Sequence, residues 1–368
     1  MKSAIHSTKL PINCDEELLL HLKKRINYRQ KSPKIKRINN CFVTFDGLVL
    51  KYGRLVGGCA FNLKRKEDKS FYSFFWKDTF EKYIVSKCGK SIPNLHLDEN
   101  KTYILIHSKW FNYSFWITSF LPRLIQIENE IGLENVTLIY PQTWGNISYV
   151  KDSLMAFNLS VEIIPQDHQL FVPHLLMPTT RDYTASFFQD VIVDTKNKLT
   201  EFANIKINNK IFPTKIYLSR SLRGVRSIEN ESEVILELEK FGYEAIVFEK
   251  LNFWEQVAMM SKATHFISLH GAGLSNLMFM NKSAKVLEFV NRKYAELEYT
   301  FPFWRLASCI EIDYFIQFGN PVLLDNSNLS FGKKSILNEK DYLVNSNVYI
   351  EIELLKNNLS LMENVIYD

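Results

Sequence analysis

The sequence predicts an α/β protein built from two Rossmann-like, doubly wound domains in tandem. Short apolar runs alternate with segments of helical periodicity, first from Lys101 to Pro165 and again from Thr214 to Val290. That alternation calls for parallel strands joined by crossover helices. Between the two series, from Val172 to Thr184, Pro173, Pro178 and polar residues break the pattern, and an interdomain linker is expected there. A length of 368 residues accommodates two domains of ordinary size. The expected division is residues 1–178, residues 179–346, and a helical tail over residues 347–368 that packs back on the first domain.

Taken in order, residues from Leu18 begin as a helix and pass into a basic linker closed by Ser32-Pro33. In "CFVTFDGLVLKYGRLVGG" the Asp46-Gly47 pair predicts a hairpin turn, and Gly57-Gly58 a second break. "KTYILIH", "NVTLIYP" and "SVEIIP" read as strands separated by helical segments. In the second series "TKIYLSR" is a strand, and Val234, Ile235, Leu238 and Phe241 share one helix face that ends at Gly242. "EAIVF" is a strand. "NFWEQVAMMSKA" is a helix in which Asn252 and Glu255 form a capping box. "HFISL" and "AKVLEFV" are strands flanking a short helix over "LSNLMFM".

Bulk properties narrow the function classes. A net charge of +5 and one basic stretch, Lys23 to Lys36, permit a phosphate-bearing ligand or an anionic membrane surface but no broad nucleic-acid face. Five scattered cysteines without C-x-x-C spacing point to a reducing compartment and no structural zinc. The apolar runs are too short to span a bilayer, and "MKSAIHSTKLPINCDEE" lacks a signal-peptide core. A cytoplasmic location is expected.

The stretch "HGAGLSN" follows a strand and opens a helix, at the edge where open α/β sheets bind ligands. Gly271 and Gly273 would let backbone N–H groups face an anion, and a helix starting near Leu274 would add its positive end. A diphosphate fits this description. A dinucleotide fits less well, because Asn276 stands where the third glycine of G-x-G-x-x-G belongs. Glu288, at the end of the next strand, is placed to hold ribose hydroxyls. In "SRSLRGVRSIENESE", Arg220 lies just past a strand end, with Arg223 and Arg226 in the loop, and guanidinium forks match phosphate oxygens. Asn230 and Glu233 suggest a cap on the following helix.

These segments, in their order, resemble the signature block of family 61 glycosyltransferases: S-R, a later arginine before N-E, an E-Q helix, H-G-A-G-L-x-N and a V-L-E strand. The resemblance implies a GT-B fold, two Rossmann-like domains facing a cleft, with an acceptor-side first domain and a sugar-nucleotide-binding second domain. It implies inverting, metal-independent transfer from a nucleoside-diphosphate sugar, UDP being the expected nucleotide, with no bound cofactor and no metal. Carried over by position, the donor site would be Arg220, Arg226, His270, Gly271, Ala272, Gly273, Leu274, Asn276 and Glu288. Gln256 and Asn230 would support it from behind. The pattern fails at one place: Phe115 and Ser119 in "NYSFWITSFLPRL" stand where the family carries a histidine and an acid. His107 is the substitute base or else a hydrogen-bonded structural histidine, and Trp110 and Trp116 are candidates for stacking on sugar rings or for aromatic core. The expected role is a glycosyltransferase of bacterial surface polysaccharide, acting on a glycan or lipid-linked acceptor with peripheral membrane association. A non-catalytic nucleotide-sugar or glycan-binding protein and, more weakly, a Rossmann oxidoreductase are the alternatives.

Overall fold

The computed structural model describes residues 3–56, 93–108, 111–179, 187–208, 210–220, 226–297, 301–322 and 344–364. Gly57, Gly58, Cys59, Cys88, Trp110 and Arg223 lie outside the described residues. Two compact units make up the chain, Lys31–Tyr183 and the pair Met1–Gln30 with Thr184–Asp368. The first thirty residues therefore group with the carboxy-terminal unit, not with residues 1–178 as the sequence suggested.

The reason lies in a sheet edge. Strands β1 (Ser3–Ser7) and β2 (Asn27–Lys31) pair with each other and flank a helix, Glu16–Leu22, capped by Asp15. The segment between β1 and this helix runs along the strand Asp313–Val322. There Ile12 N donates to the Tyr314 carbonyl at 2.8 Å, and Asn13 pairs with both backbone groups of Ile316, at 2.8 and 3.1 Å. The Trp304 indole donates to the Lys9 carbonyl at 2.6 Å. These bonds cover N–H and C=O groups that an open edge would leave unpaired. The basic stretch begins as a largely exposed 3-10 turn, Lys23–Arg25, but where a linker was expected it forms β2 and enters β3 (Lys34–Thr44).

Lys31–Tyr183 holds a mixed sheet. After β3 come β4 (Val49–Lys51), β5 (Arg54–Leu55), β6 (Asn94–His96), β7 (Thr102–Leu105), β8 (Val136–Pro141), β9 (Ser160–Ile164) and β10 (Gln169–Thr179). Their order is β5-β4-β3-β10-β7-β8-β9, with β6 beside β10. The β7-β8-β9 portion is parallel, as the alternation predicts. The Asp46-Gly47 turn joins β3 to β4, and a Cβ on Gly47 would come within 2.8 Å of the His107 carbonyl. Where a linker was expected, β10 instead occupies the middle of the sheet. Pro173 is left out of the pairing, which passes from Val172↔Cys41 to His174↔Asn39, whereas Pro178 stays in register opposite Ile35. The helical stretch after β7 includes a π-helical segment, Trp116–Phe120, before Leu121–Glu130.

The other unit carries β11 (Lys215–Leu218), β12 (Glu244–Ile246), β13 (His265–Leu269), β14 (Lys285–Asn291), β15 (Asp313–Val322) and β16 (Asn347–Tyr349). Their order is β12-β11-β13-β14-β15-β16, parallel except for β16. On one face, Tyr217, Ile267, Leu269, Leu287, Phe289 and Phe315 pack with Val234 and Leu238 of the helix Glu231–Lys240. Leu355, Leu359 and Met362 of the helix Ile352–Asn364 join the same cluster. The tail therefore packs on this sheet, which corrects the expectation that it returns to the first domain. Gly242, at φ 80°, ends the helix where the sequence places its stop. The Asn252–Glu255 capping box is present, at 3.0 and 2.9 Å.

Asn230 departs from its expected role. It occupies the N-cap position, but its side chain makes no cap bond. Instead its amide bonds both backbone groups of Ile350, donating at 2.8 Å and accepting at 3.0 Å. That tie holds the chain after β16 against the helix start. Asn230→Ala should lower unfolding stability by about 2–3 kcal/mol, because it leaves a buried N–H and C=O without partners. Urea denaturation compared with Asn230→Asp, which keeps only acceptor atoms, measures the effect.

Candidate functional site

Strand order decides where this site lies. In the order β12-β11-β13-β14-β15 the chain leaves β11 to one side for β12 and returns on the other side as β13. Between β11 and β13 the direction of winding reverses, and in open α/β sheets that reversal opens a crevice at the carboxyl ends of the strands. Leu218 pairs with Ser268 across this position. The next residues on the two strands are Ser219 and Arg220 on one side, and Leu269, His270 and Gly271 on the other. Arg220, His270 and Gly271 therefore meet at the reversal.

They meet in atomic contact. Arg220 Nη1 donates to the His270 carbonyl at 2.9 Å. A Cβ on Gly271 would collide with that same guanidinium nitrogen. Gly271 has φ 169°, extended backbone that any residue adopts, so space and not conformation demands the glycine. A Cβ on Gly273 would lie 2.6 Å from Leu218 Cδ2. The two glycines let the turn press against β11 and the Arg220 fork, a different use from opening the backbone to an anion. The turn leads into a 3-10 helix, Ala272–Phe279, not an α-helix from Leu274. The amides of its first residues have no earlier carbonyl within the helix to bond. Leu274 and Asn276 are fully buried, and Asn276 donates to the Gly273 carbonyl at 3.0 Å. Neither side chain is placed to touch a ligand, which corrects their place in the expected donor set.

His270 is held from three sides. Its Nδ1 lies 2.6 Å from Glu288 Oε1, and Tyr314 Oη donates to Glu288 Oε2 at 2.8 Å. Its ring packs against Tyr294 and Phe303, with centroids 4.4 and 5.2 Å away. Glu288 is 0% exposed and both its oxygens are engaged. A ribose contact from Glu288 is thus corrected: the carboxylate faces a histidine and a tyrosine. His270 and Arg226 line one narrow surface recess of about 10 Å³, with Asn291, Tyr294, Ser346 and Val348. Arg226 has φ 54°, in the left-handed region that a non-glycine residue seldom adopts.

Supporting residues sit behind these. Gln256 Nε2 donates to the carbonyls of Phe248 and Leu251 at 3.0 and 3.1 Å and so fixes the loop after β12. Asn230 is spent on Ile350. Glu231 accepts from Tyr217 Oη at 2.8 Å and Ser219 Oγ at 2.9 Å, pinning the end of β11 beside Arg220. Sequence reasoning did not reach Tyr314 or Tyr294. Only the alternation placing Glu288 and Tyr314 on one sheet face could have suggested that pair.

In the other unit, His107 is 2% exposed and packs edge-on against Trp144, with centroids 5.2 Å apart. A buried ring cannot meet an acceptor hydroxyl, so the structure removes His107 as the base. Trp116 is fully buried, with its indole donating to Ser153 Oγ at 2.8 Å, and is core instead of a sugar platform. Ser119 is buried within the π segment, and Phe115 ends the short helix before it.

A match to a known family includes Arg220, His270 and Gly271. Residues 113–287 match the model of the family described as Glycosyltransferase 61, which bears out the resemblance drawn from the motifs. Over 78 residues the chain is 35% identical to the EGF domain-specific O-linked N-acetylglucosamine transferase of Drosophila melanogaster. That segment is 20% of this chain and spans 15% of the relative's length.

Two outcomes test this geometry. Gly271→Ala should expel the Arg220 fork while the fold persists. In a double-mutant cycle, Gly271→Ala and Arg220→Ala should then be strongly non-additive in unfolding free energy. For His107, burial pushes the imidazole down from 6.5 to about 4. The unfolded chain takes up that proton near pH 6.5 and the folded chain only near 4, so the folded form loses stability as pH falls across this window. His107→Phe should reduce the stability lost between pH 7 and 4.5 by about 2–3 kcal/mol, read from urea curves at the two values.

Proposed function

We propose that this chain, whose residues 113–287 are matched by the Glycosyltransferase 61 family, transfers a sugar from a UDP-sugar to a glycan or lipid-linked acceptor. One observation carries the reading: Arg220, His270 and Gly271 converge at the strand-order reversal of a parallel sheet. The reading assigns the diphosphate to Arg220, Arg226, His270 and the amides of Gly271, Ala272 and Gly273. Gln256 acts indirectly, through the loop that supports the turn.

The chemistry assigned to this cluster is electrostatic. As the bond to the anomeric carbon breaks, negative charge gathers on the departing diphosphate. Guanidinium and amide donors already in place stabilise that charge without reorganising. The sequence holds no D-x-D pair of the kind that sets a divalent cation under a diphosphate. Metal-independent, inverting transfer is the form of the reaction proposed, with the acceptor hydroxyl attacking from the face opposite the leaving group. The proposal includes a GT-B division of labour, donor to the unit containing β11–β16 and acceptor to Lys31–Tyr183. The relative's name, an O-linked N-acetylglucosamine transferase, makes UDP-N-acetylglucosamine the first donor to try. A role in surface polysaccharide assembly at the cytoplasmic side of a membrane belongs to the same proposal.

A second reading rests on a specific observation. His107 and Ser119 are buried, and Phe115 cannot accept a proton, so none of the three expected positions supplies a base. A protein that binds nucleotide sugar without turning it over would show this.

Thermal shift with UDP, GDP, CMP and NAD should show stabilisation by UDP, and stabilisation by NAD alone would remove the transferase reading. Arg220→Ala should weaken UDP binding by about tenfold or more, the cost of a lost charge-assisted hydrogen bond. Release of UDP from UDP-N-acetylglucosamine, unchanged by EDTA, separates an enzyme from a binding protein. Complete loss restored by manganese would refute the metal-free mechanism.

A further inference from the structure

The buried pair behind His270 has a use that donor contact does not require. We infer that Glu288 and Tyr314 are positioning residues, which together fix the ring orientation and proton position of His270 so that only its Nε2 is left for a ligand. The inference rests on the reading of His270 as part of the nucleotide site.

The geometry forms a chain of three groups. Tyr314 Oη donates to Glu288 Oε2 at 2.8 Å, and Glu288 Oε1 stands 2.6 Å from His270 Nδ1. Burial, and after it the neighbouring carboxylate, push the Tyr314 phenol well above its ordinary value. The phenol therefore keeps its proton and donates. A carboxylate offers only acceptors, so the partner nitrogen of His270 is an N–H donor. With Nδ1 committed, Nε2 is the remaining ring nitrogen, on a residue that lines the pocket shared with Arg226. The same logic holds a catalytic histidine in its working tautomer in serine proteases, where replacing the orienting carboxylate by its amide puts the proton on the wrong nitrogen.

The placement is rigid. Glu288 and Tyr314 stand on the neighbouring parallel strands β14 and β15, where Val286 pairs with Tyr314 and Glu288 with Ile316. The Tyr314 carbonyl also accepts from Ile12 N at 2.8 Å, so the amino-terminal segment braces the strand that carries the phenol. Other polar groups near the ring are accounted for: Arg220 bonds the His270 carbonyl, Tyr294 packs on the imidazole, and Arg226 stands in the pocket wall. Glu288 is the carboxylate bonded to the ring.

The test uses the full chain labelled with ¹⁵N-histidine, with UDP as the probe. Long-range ¹H–¹⁵N spectra, with His270 assigned by its loss in His270→Ala, should show the ring proton on Nδ1. Glu288→Gln should change that signature and weaken UDP binding about tenfold. Tyr314→Phe, which removes one hydroxyl and keeps the ring packed, should melt as a folded protein and weaken UDP binding about threefold. A wild-type ring protonated on Nε2 overturns the inference. So do both variants binding UDP within about twofold of wild type while His270→Ala loses binding. If His270→Ala binds UDP normally, the nucleotide pocket is misplaced, a distinct failure, and the spectra still decide whether Glu288 sets the tautomer.

Discussion

The contact between the Arg220 guanidinium and the backbone of His270–Gly271 sets what the surrounding structure can be. It requires β11 and β13 to be neighbours, since only that pairing puts their carboxyl ends side by side. It requires a residue without a side chain at 271, because the guanidinium fills the volume a methyl would take. It also requires the end of β11 to stay fixed, which Glu231 achieves by bonding Tyr217 and Ser219. Gly273 then lets the 3-10 helix settle onto Leu218. A cluster of positive and amide groups is stable here because each member is held by a neighbour with an independent structural reason to be present.

Burial separates the groups with exposed surface from those that only hold others. Glu288, Asn276 and Leu274 have no exposed surface, whereas Ala272, Gly273, Arg226 and His270 retain some. A short motif written as letters hides that division. In "HGAGLSN" His270, Ala272 and Gly273 form the rim, Gly271 is buried against Arg220, and the last three residues anchor the turn in the core. Motif residues that never touch a ligand can matter as much as those that do, since a fully packed anchor transmits any distortion to the rim.

Much of this was legible from the chain alone. Alternating apolar and amphipathic segments gave the parallel strands, Gly242 the helix stop, and Asn252 with Glu255 a capping box, because each of these signals is local. The convergence of Arg220 with His270 was anticipated from strand ends, though the strand order that makes them adjacent was not. Non-local facts were the ones missed. Pro173 and Pro178 suggested a break, yet β10 passes through the sheet centre, its pairing skipping Pro173 and keeping Pro178 opposite Ile35. Asn230 and Glu233 matched a capping box in spacing, but a backbone segment 120 residues away took the amide. For His107 at a strand end, a base and a structural histidine were both open, and only its burial decides for the second. Spacing states what is possible between near neighbours and is silent about partners from distant parts of the chain.

The discontinuity of the unit that holds β11–β16 has a bearing on how the protein is made. Asn13 and its partner Ile316 are separated by 303 positions, so the edge of β15 is completed by a segment that leaves the ribosome long before the strand exists. Lys31–Tyr183 can close on itself while synthesis continues. The early segment must remain available throughout, and closing so long a loop is slow. Chaperone dependence and a late, slow maturation step would be the cellular signature of that wiring.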